Sequence, residues 1–301
     1  MSEIDLLAER FEEDRGHLRG VAYRMLGSLT EADDAVQEAW IRLSRSDTSD
    51  VHNLRAWLTT VTARVCLDHL RTRKTRREDP LEPETGPDAT PDSVFAALAE
   101  AGTDPEQEAV LADSVGLALL VVLETLTPAE RLAFVLHDLF AMPFDEIAPI
   151  LDREPAAARQ LASRARRRLQ GTTAVPEADL HRRREVVEAF LAASRDGDFD
   201  ALVSVLDPDV VLHADAFAAA GGNPVEVHGA IAVATGARRF AERSRYARLA
   251  LVDGLPGVVV APNGRLLVVQ QFTIEGDRVV GIEIVADPAR LATIELALLD
   301  A

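Results

Sequence analysis

The chain has 301 residues, 48% of them hydrophobic and 27% charged, with a formal net charge of −18. That is the make-up of a globular protein long enough for two or three domains. A single cysteine, Cys66, excludes an internal disulfide and every multi-cysteine zinc site, and predicts core filler in a reducing cytoplasm. No apolar run approaches the roughly twenty residues of a membrane span. The opening Met-Ser-Glu-Ile-Asp lacks the basic start expected of a signal peptide. No metal or cofactor motif stands out.

In chain order, Leu6, Leu7, Phe11, Leu18, Val21, Ala22, Met25 and Leu26 recur at the three- and four-residue steps of a buried helical face. Gly27-Ser28-Leu29-Thr30 breaks that pattern, and Thr30 with Asp33 marks the next helix start. Ala35, Val36, Ala39, Trp40 and Leu43 form its inner stripe. A third helix carries Leu54, Trp57, Leu58, Val61, Val65 and Leu70 into a cluster of Arg. Residues 1–77 are thus predicted to form a helical bundle.

Residues 78–104, with Pro80, Pro83, Pro87, Pro91 and many acids, predict an extended linker. Between Arg77 and Arg131 there are thirteen acids and no Lys or Arg, so the negative total is segregated from basic helices on either side. Local distribution outranks the sum where phosphate is concerned. A second helical unit covers 105–171; it includes the apolar run Val115 to Leu123 and a Thr127 cap before Pro128.

Beyond Gly171, residues 180–301 predict an α+β domain. A helix from Arg182 to Arg195 and a short one reaching Leu206 come first. Strand-like runs follow at Val210 to His213, Ala247 to Val252, Val258 to Ala261, Leu266 to Ile274 and Val279 to Val285. The turns Asp253-Gly254, Asn263-Gly264 and Glu275-Gly276-Asp277 point to an antiparallel sheet.

The most telling stretch is Phe144 to Leu169, a short apolar helix, a charged turn and an Arg-rich helix. This is the layout of a helix-turn-helix whose second helix enters the major groove. Ala158, Leu161, Ala162, Ala165 and Leu169 form its packing face, leaving Arg159, Gln160 and Ser163 to meet base edges. Arg pairs bidentately with guanine and Gln with adenine. Arg164, Arg166 and Arg167 lie further along, where phosphates are held. A second basic helix, with Arg64, Asp68, Arg71, Arg73 and Arg76, follows a loop presenting Asn53 and Arg55. Such charge beside a splayed-base pocket suits single-stranded DNA.

The order EADDAVQEAWIRL, RAWLTTVTARVCLDHLRTRKTRR, TPAERLAFVLHDLFAMPFDEIAPIL and AAARQLASRARRRL resembles the extracytoplasmic-function sigma factors of bacteria, in the branch with a C-terminal SnoaL-like domain. The resemblance implies two all-α sigma-type bundles, region 2 and region 4, followed by an α+β cone of the SnoaL-like, nuclear-transport-factor-like type. It implies a cytoplasmic, non-enzymatic initiation factor without cofactors, whose partners are core RNA polymerase (the clamp of the largest subunit and the flap of the second) and promoter DNA. Asp33, Asp34, Gln37, Glu38 and Trp40 would then dock on polymerase. Asn53, Arg55, Arg64, Asp68, Arg71, Arg73 and Arg76 would serve the −10 element, and Arg159, Gln160, Ser163, Arg164, Arg166 and Arg167 the −35 element. The C-terminal domain would modulate activity in cis. Its candidate pocket residues are His213, Asp215, His228 and Glu283, with an unknown small ligand as a further partner. Two rival readings stand beside this one: a SnoaL-like cyclase or hydrolase with fused DNA-binding helices, and a helix-turn-helix regulator independent of polymerase.

Overall fold

The computed structural model describes residues 3–46, 51, 53–78, 116–219, 221–239, 244, 246–262 and 266–299. Residues 79–104 of the expected acidic linker and the Asn263-Gly264 turn lie outside the described residues. The chain divides into two compact units, one gathering described residues of 1–83 and 123–167, the other those of 84–122 and 168–301. The first bundle and residues 123–167 of the second, expected as separate domains, therefore share one unit.

In the first unit, α1 (Glu3–Leu26), α2 (Leu29–Arg45) and α3 (Leu54–Glu78) pack around Leu18, Val21, Met25, Leu43 and Leu58, all fully buried. Gly27, at φ 77°, ends α1 and leaves Ser28 extended. Ser28, not Thr30, is the cap of α2, its side chain accepting from the Glu31 N–H at 3.4 Å. The apolar run becomes α4 (Leu117–Glu124), with Leu120, Val121, Val122 and Leu123 buried; its residues up to Val122 count with the second unit. Next, α5 (Pro128–Phe134) opens with a capping box. The Glu130 N–H donates to Thr127 Oγ1 at 3.3 Å and the Thr127 N–H to Glu130 Oε2 at 3.2 Å. A π-helical turn (Val135–Leu139) leads to α6 (Phe144–Leu151) and α7 (Pro155–Gln170). Asp152, left-handed at φ 54°, closes α6 and sets the three-residue turn of the helix-turn-helix.

The bundles meet at a junction the sequence did not signal. Arg131 of α5 is 3% exposed, and its Nε donates to the Arg24 carbonyl of α1 at 3.1 Å. Burial pulls the guanidinium pKa down to about 10. Phe140 receives the Arg24 guanidinium over its ring at 5.1 Å and the His17 ring edge-on at 5.2 Å. Arg64 of α3 donates to the Pro149 carbonyl of α6 at 3.4 Å.

In the second unit, α8 (Glu177–Asp196), α9 (Phe199–Val205) and α10 (Ala230–Arg239) accompany one seven-stranded sheet ordered β2-β1-β6-β5-β4-β3-β7. Its strands are β1 (Leu206–Ala214), β2 (Val225–His228), β3 (Ala247–Val252), β4 (Leu255–Val260), β5 (Val268–Glu275), β6 (Arg278–Val285) and β7 (Leu296–Ala297). A short α11 (Pro288–Leu291) precedes β7. The expected all-antiparallel sheet is corrected in one place: β1 runs parallel to β6. The strands β2 and β7 and the helix α10 were not anticipated, being too short or too small-residue-rich to give a periodic signal. Phe190 of α8 meets Phe272 of β5 at 5.2 Å, inside a core with Val187, Leu202, Val210 and Ile282.

The segment that follows α7 is fastened to this sheet. The Leu298 N–H donates to the Leu169 carbonyl at 2.7 Å and the Ala174 N–H to the Gly254 carbonyl at 2.9 Å. Gly254 sits at φ 79°, where a Cβ would come within 2.7 Å of the Thr172 oxygen, so only glycine fits.

Asp215 staples the end of β1. Its carboxylate accepts from the N–H groups of Ala218 at 2.8 Å, Ala286 at 2.8 Å and Asp287 at 2.9 Å. Asp215→Ala strands the Ala286 and Asp287 donors, since the Ala218 N–H keeps the Asp215 carbonyl at 3.1 Å, and is expected to lower stability by about 2–3 kcal/mol. Urea unfolding of the full chain checks this, and an unchanged midpoint would contradict the stapling role.

Candidate nucleic-acid interface

Helix α7 presents one face to its own unit and one to solvent, as its alternating Ala and Arg dictate. Ala158, Ala162 and Ala165 are fully buried, while Arg159, Gln160, Arg164 and Arg167 are exposed. Arg159 stands over the Phe144 ring at 5.4 Å, a contact that orients the guanidinium and leaves its donor fork unused. Phe144 in turn stacks on His137 at 3.8 Å. Ser163 is half-buried, and its carbonyl accepts from Arg167 Nε at 3.5 Å.

The two remaining arginines are more constrained. Arg166 forms a forked pair with Asp138, Nε to Oδ1 at 2.6 Å and Nη2 to Oδ2 at 3.3 Å. Arg164 Nε lies 3.2 Å from the buried Glu130 carboxylate. Both pairs fix α7 on the preceding helices, a positioning task that the sequence reading had not separated from phosphate binding.

On the first bundle, Asn53 caps α3, its Oδ1 accepting from the Ala56 N–H at 3.1 Å. Arg55 is exposed, with Nη2 3.0 Å from His17 Nδ1 and Nε 3.6 Å from Asp14. The His17 pKa lies below its ordinary value, first because of burial and then because of the Arg55 charge. Asp68 and Arg71 are exposed and 3.9 Å apart. Arg73 turns inward, donating to the Leu26 carbonyl at 3.3 Å and pairing with Glu31, so it holds α3 to the bundle. The side chain of Arg76 lies outside the described residues. Along α2, Asp34 and Gln37 are exposed; Asp33 accepts from Arg19 at 3.1 Å and Glu38 from Arg42 at 3.1 Å. Trp40 is half-buried against Phe11, with ring centroids 5.1 Å apart. An acidic ridge and two basic helices thus occupy one unit.

Of the candidate pocket residues of the second unit, His213 and Glu283 line an open groove of about 510 Å³ on the outer face of the sheet, while Asp215 and His228 do not line it. His213 and Glu283 face each other in register across β1 and β6, on the side of the sheet opposite Leu212 and Ile282. His213 and His228 are exposed and share Glu226, at 3.3 Å and 2.6 Å. Glu283 pairs with Arg290, and Asp215 is consumed by backbone donors. The more enclosed space lies on the other face, between the sheet and α8 and α10. Period-two alternation decides which face a strand residue takes, and the sequence reading did not assign faces to these four. Ser194 and Gln270, which do line that space, gave no signal because a lone Ser or Gln carries no motif.

Residues 10–76 match the model of Sigma-70 region 2 and residues 116–169 that of Sigma-70, region 4. The chain is 35% identical over 292 residues to the probable ECF RNA polymerase sigma factor SigI of Mycobacterium tuberculosis, covering 97% of each. It is 46% identical over 206 residues to the ECF RNA polymerase sigma factor SigJ of the same organism, covering 68% of this chain and 64% of that one. The crystal structure of that SigJ aligns with a TM-score of 0.45 at 35% identity, over 94% of this chain and 98% of the other. With two matched regions in order and a relative similar along almost its whole length, the chain belongs to the extracytoplasmic-function RNA polymerase sigma factors.

Proposed function

We propose that this chain binds bacterial core RNA polymerase in the cytoplasm and directs it to promoters, with each contact carried by a named face. The ridge Asp34, Gln37 and Glu38 of α2 meets the clamp of the largest subunit, and the second bundle meets the flap of the second. Asn53, Arg55, Asp68 and Arg71 serve the −10 element. Arg159 and Gln160 read the −35 element, with Arg167 holding phosphate. The carrying observation is the solvent-facing pair Arg159 and Gln160 at the start of α7, whose polar ends have no hydrogen-bond partner among the described residues. The initiation factor has no reaction of its own; it lends recognition and strand opening to the enzyme. Among the described residues no helix is long and apolar enough to cross a membrane.

This reading requires the first unit to open. Elements named for positions −35 and −10 lie roughly 85 Å apart on B-DNA at about 3.4 Å per base pair. A compact unit of roughly 130 residues has a radius of gyration of about 14 Å. Arg64 beside Pro149 cannot serve one element while α7 reads the other, so the bundles separate before both sites are filled. Arg131 suits a junction that must part. Its burial disfavours the charge, as the downward shift to about 10 records, with the nearby Glu124 acting in the opposite direction. Regulation in cis by the C-terminal domain is the remaining element of the proposal, supported by the fastening of residues 169–174 to its sheet.

Three outcomes are expected. Arg159→Ala and Gln160→Ala each weaken promoter-specific binding by about 1–3 kcal/mol and relax base preference at one position, whereas Arg167→Ala weakens all sequences alike and lowers the salt slope. Uniform loss from all three would argue against base reading by α7. Cys66, whose thiol burial pushes up to about 12, resists alkylation in the free chain and labels faster with core polymerase and promoter present. Arg131→Met, which removes the buried charge, keeps the unit closed and slows that labelling; equal rates in all states would contradict opening at this junction. A chain ending at Gly171 drives run-off transcription at a strength different from the full chain, and equal strength would remove the cis-acting role.

A further inference from the structure

The second unit holds a partly open cavity of about 280 Å³ between the inner face of its sheet and helices α8 and α10. Its walls are apolar, with Leu212, Val260, Ile282 and Ile284 among them. Such a volume lies just under the usual range of small-molecule sites, roughly 300–1,000 Å³. The lining residues include neither a carboxylate nor an imidazole among the described residues. An ionic guest would leave water without a counter-charge, which strongly disfavours it.

The lining is not wholly apolar. Ser194 of α8 is 7% exposed, and its Oγ is buried with no hydrogen-bond partner among the described residues. Buried hydroxyls are normally paired, because leaving one unmade is costly. A helical serine can return its hydroxyl to a carbonyl one turn back, yet this one does not. Gln270 of β5, half-buried on the inner face, brings an amide with both donor and acceptor. Ser244 also lies in the lining, and a few polar groups on an apolar wall are the usual means of orienting a guest.

We propose that the cavity is a binding site for an uncharged, largely apolar small molecule carrying a carbonyl or hydroxyl, which Ser194 engages. The guest is bound without being transformed, since the lining offers no acid, base or activated nucleophile among the described residues. This binding is independent of the polymerase reading above.

Benzophenone and diphenylmethane, alike in shape and differing in one carbonyl, serve as probes, with 2-benzoylbenzoate as the charged counterpart. Ligand-observed NMR titration of the full chain is expected to give saturable binding of both neutral probes. The ketone binds about three- to ten-fold tighter, the worth of one hydrogen bond, and the carboxylate at least about ten-fold weaker than the ketone. Ser194→Ala removes the ketone's advantage and leaves diphenylmethane unchanged. Gly236→Phe fills the space and abolishes both. A Cβ at Gly236 meets no atom within 4 Å, and glycine is a poor helix former, so this variant is expected to melt no lower than the parent. Failure of either neutral probe to saturate, strongest binding by the carboxylate, or undiminished binding to a folded Gly236→Phe would overturn the proposal. Should that variant not fold, a ketone preference that survives Ser194→Ala overturns it alone.

Discussion

A single buried guanidinium sets the terms for the sigma bundles. Arg131 leaves water to reach the Arg24 carbonyl, and the protein compensates with one hydrogen bond and the nearby Glu124 charge. An apolar side chain there would pack without that electrostatic penalty. The penalty makes the closed arrangement easier to leave than an all-apolar seam of the same size. Around it, Phe140 gathers His17 and Arg24, while Arg64 spends a donor on Pro149. The surface that would bind promoter on one bundle is thus partly occupied by the other.

The helical half was largely legible in the sequence, because amphipathic period and caps are local signals. The Thr127 capping box, the turn at Asp152 and the Ala-faced, Arg-coated α7 all follow from spacings of three and four. What escaped was the pairing of bundles 107 residues apart in sequence, as between Arg24 and Arg131. An Arg after a cap reads as an ordinary surface residue of a first turn. Its burial depends on a surface brought there by tertiary packing. The same holds for the bonds by which Arg73 and Arg166, expected at the −10 and −35 elements, also hold helices in place.

In the C-terminal domain the strands were legible and their sides were not. Chemistry-bearing residues drew attention to His213, His228 and Glu283, yet register puts them outside, paired with Glu226 and Arg290. The more enclosed side belongs to aliphatic residues, with Ser194 its one unpaired buried hydroxyl among the described residues. The parallel pairing of β1 with β6 also escaped, since the residues between them span several other elements.

The separation of the bundles is tested most directly by distance. Fluorophores on Ser44→Cys and Arg153→Cys, in a Cys66→Ala background, report the spacing between α2 and the helix-turn-helix turn. In the free chain a transfer efficiency typical of one compact unit is expected. With core polymerase and a promoter that yields transcripts, the spacing should lengthen toward the roughly 85 Å between elements. An unchanged, short distance in a complex that is making specific RNA would contradict the opening.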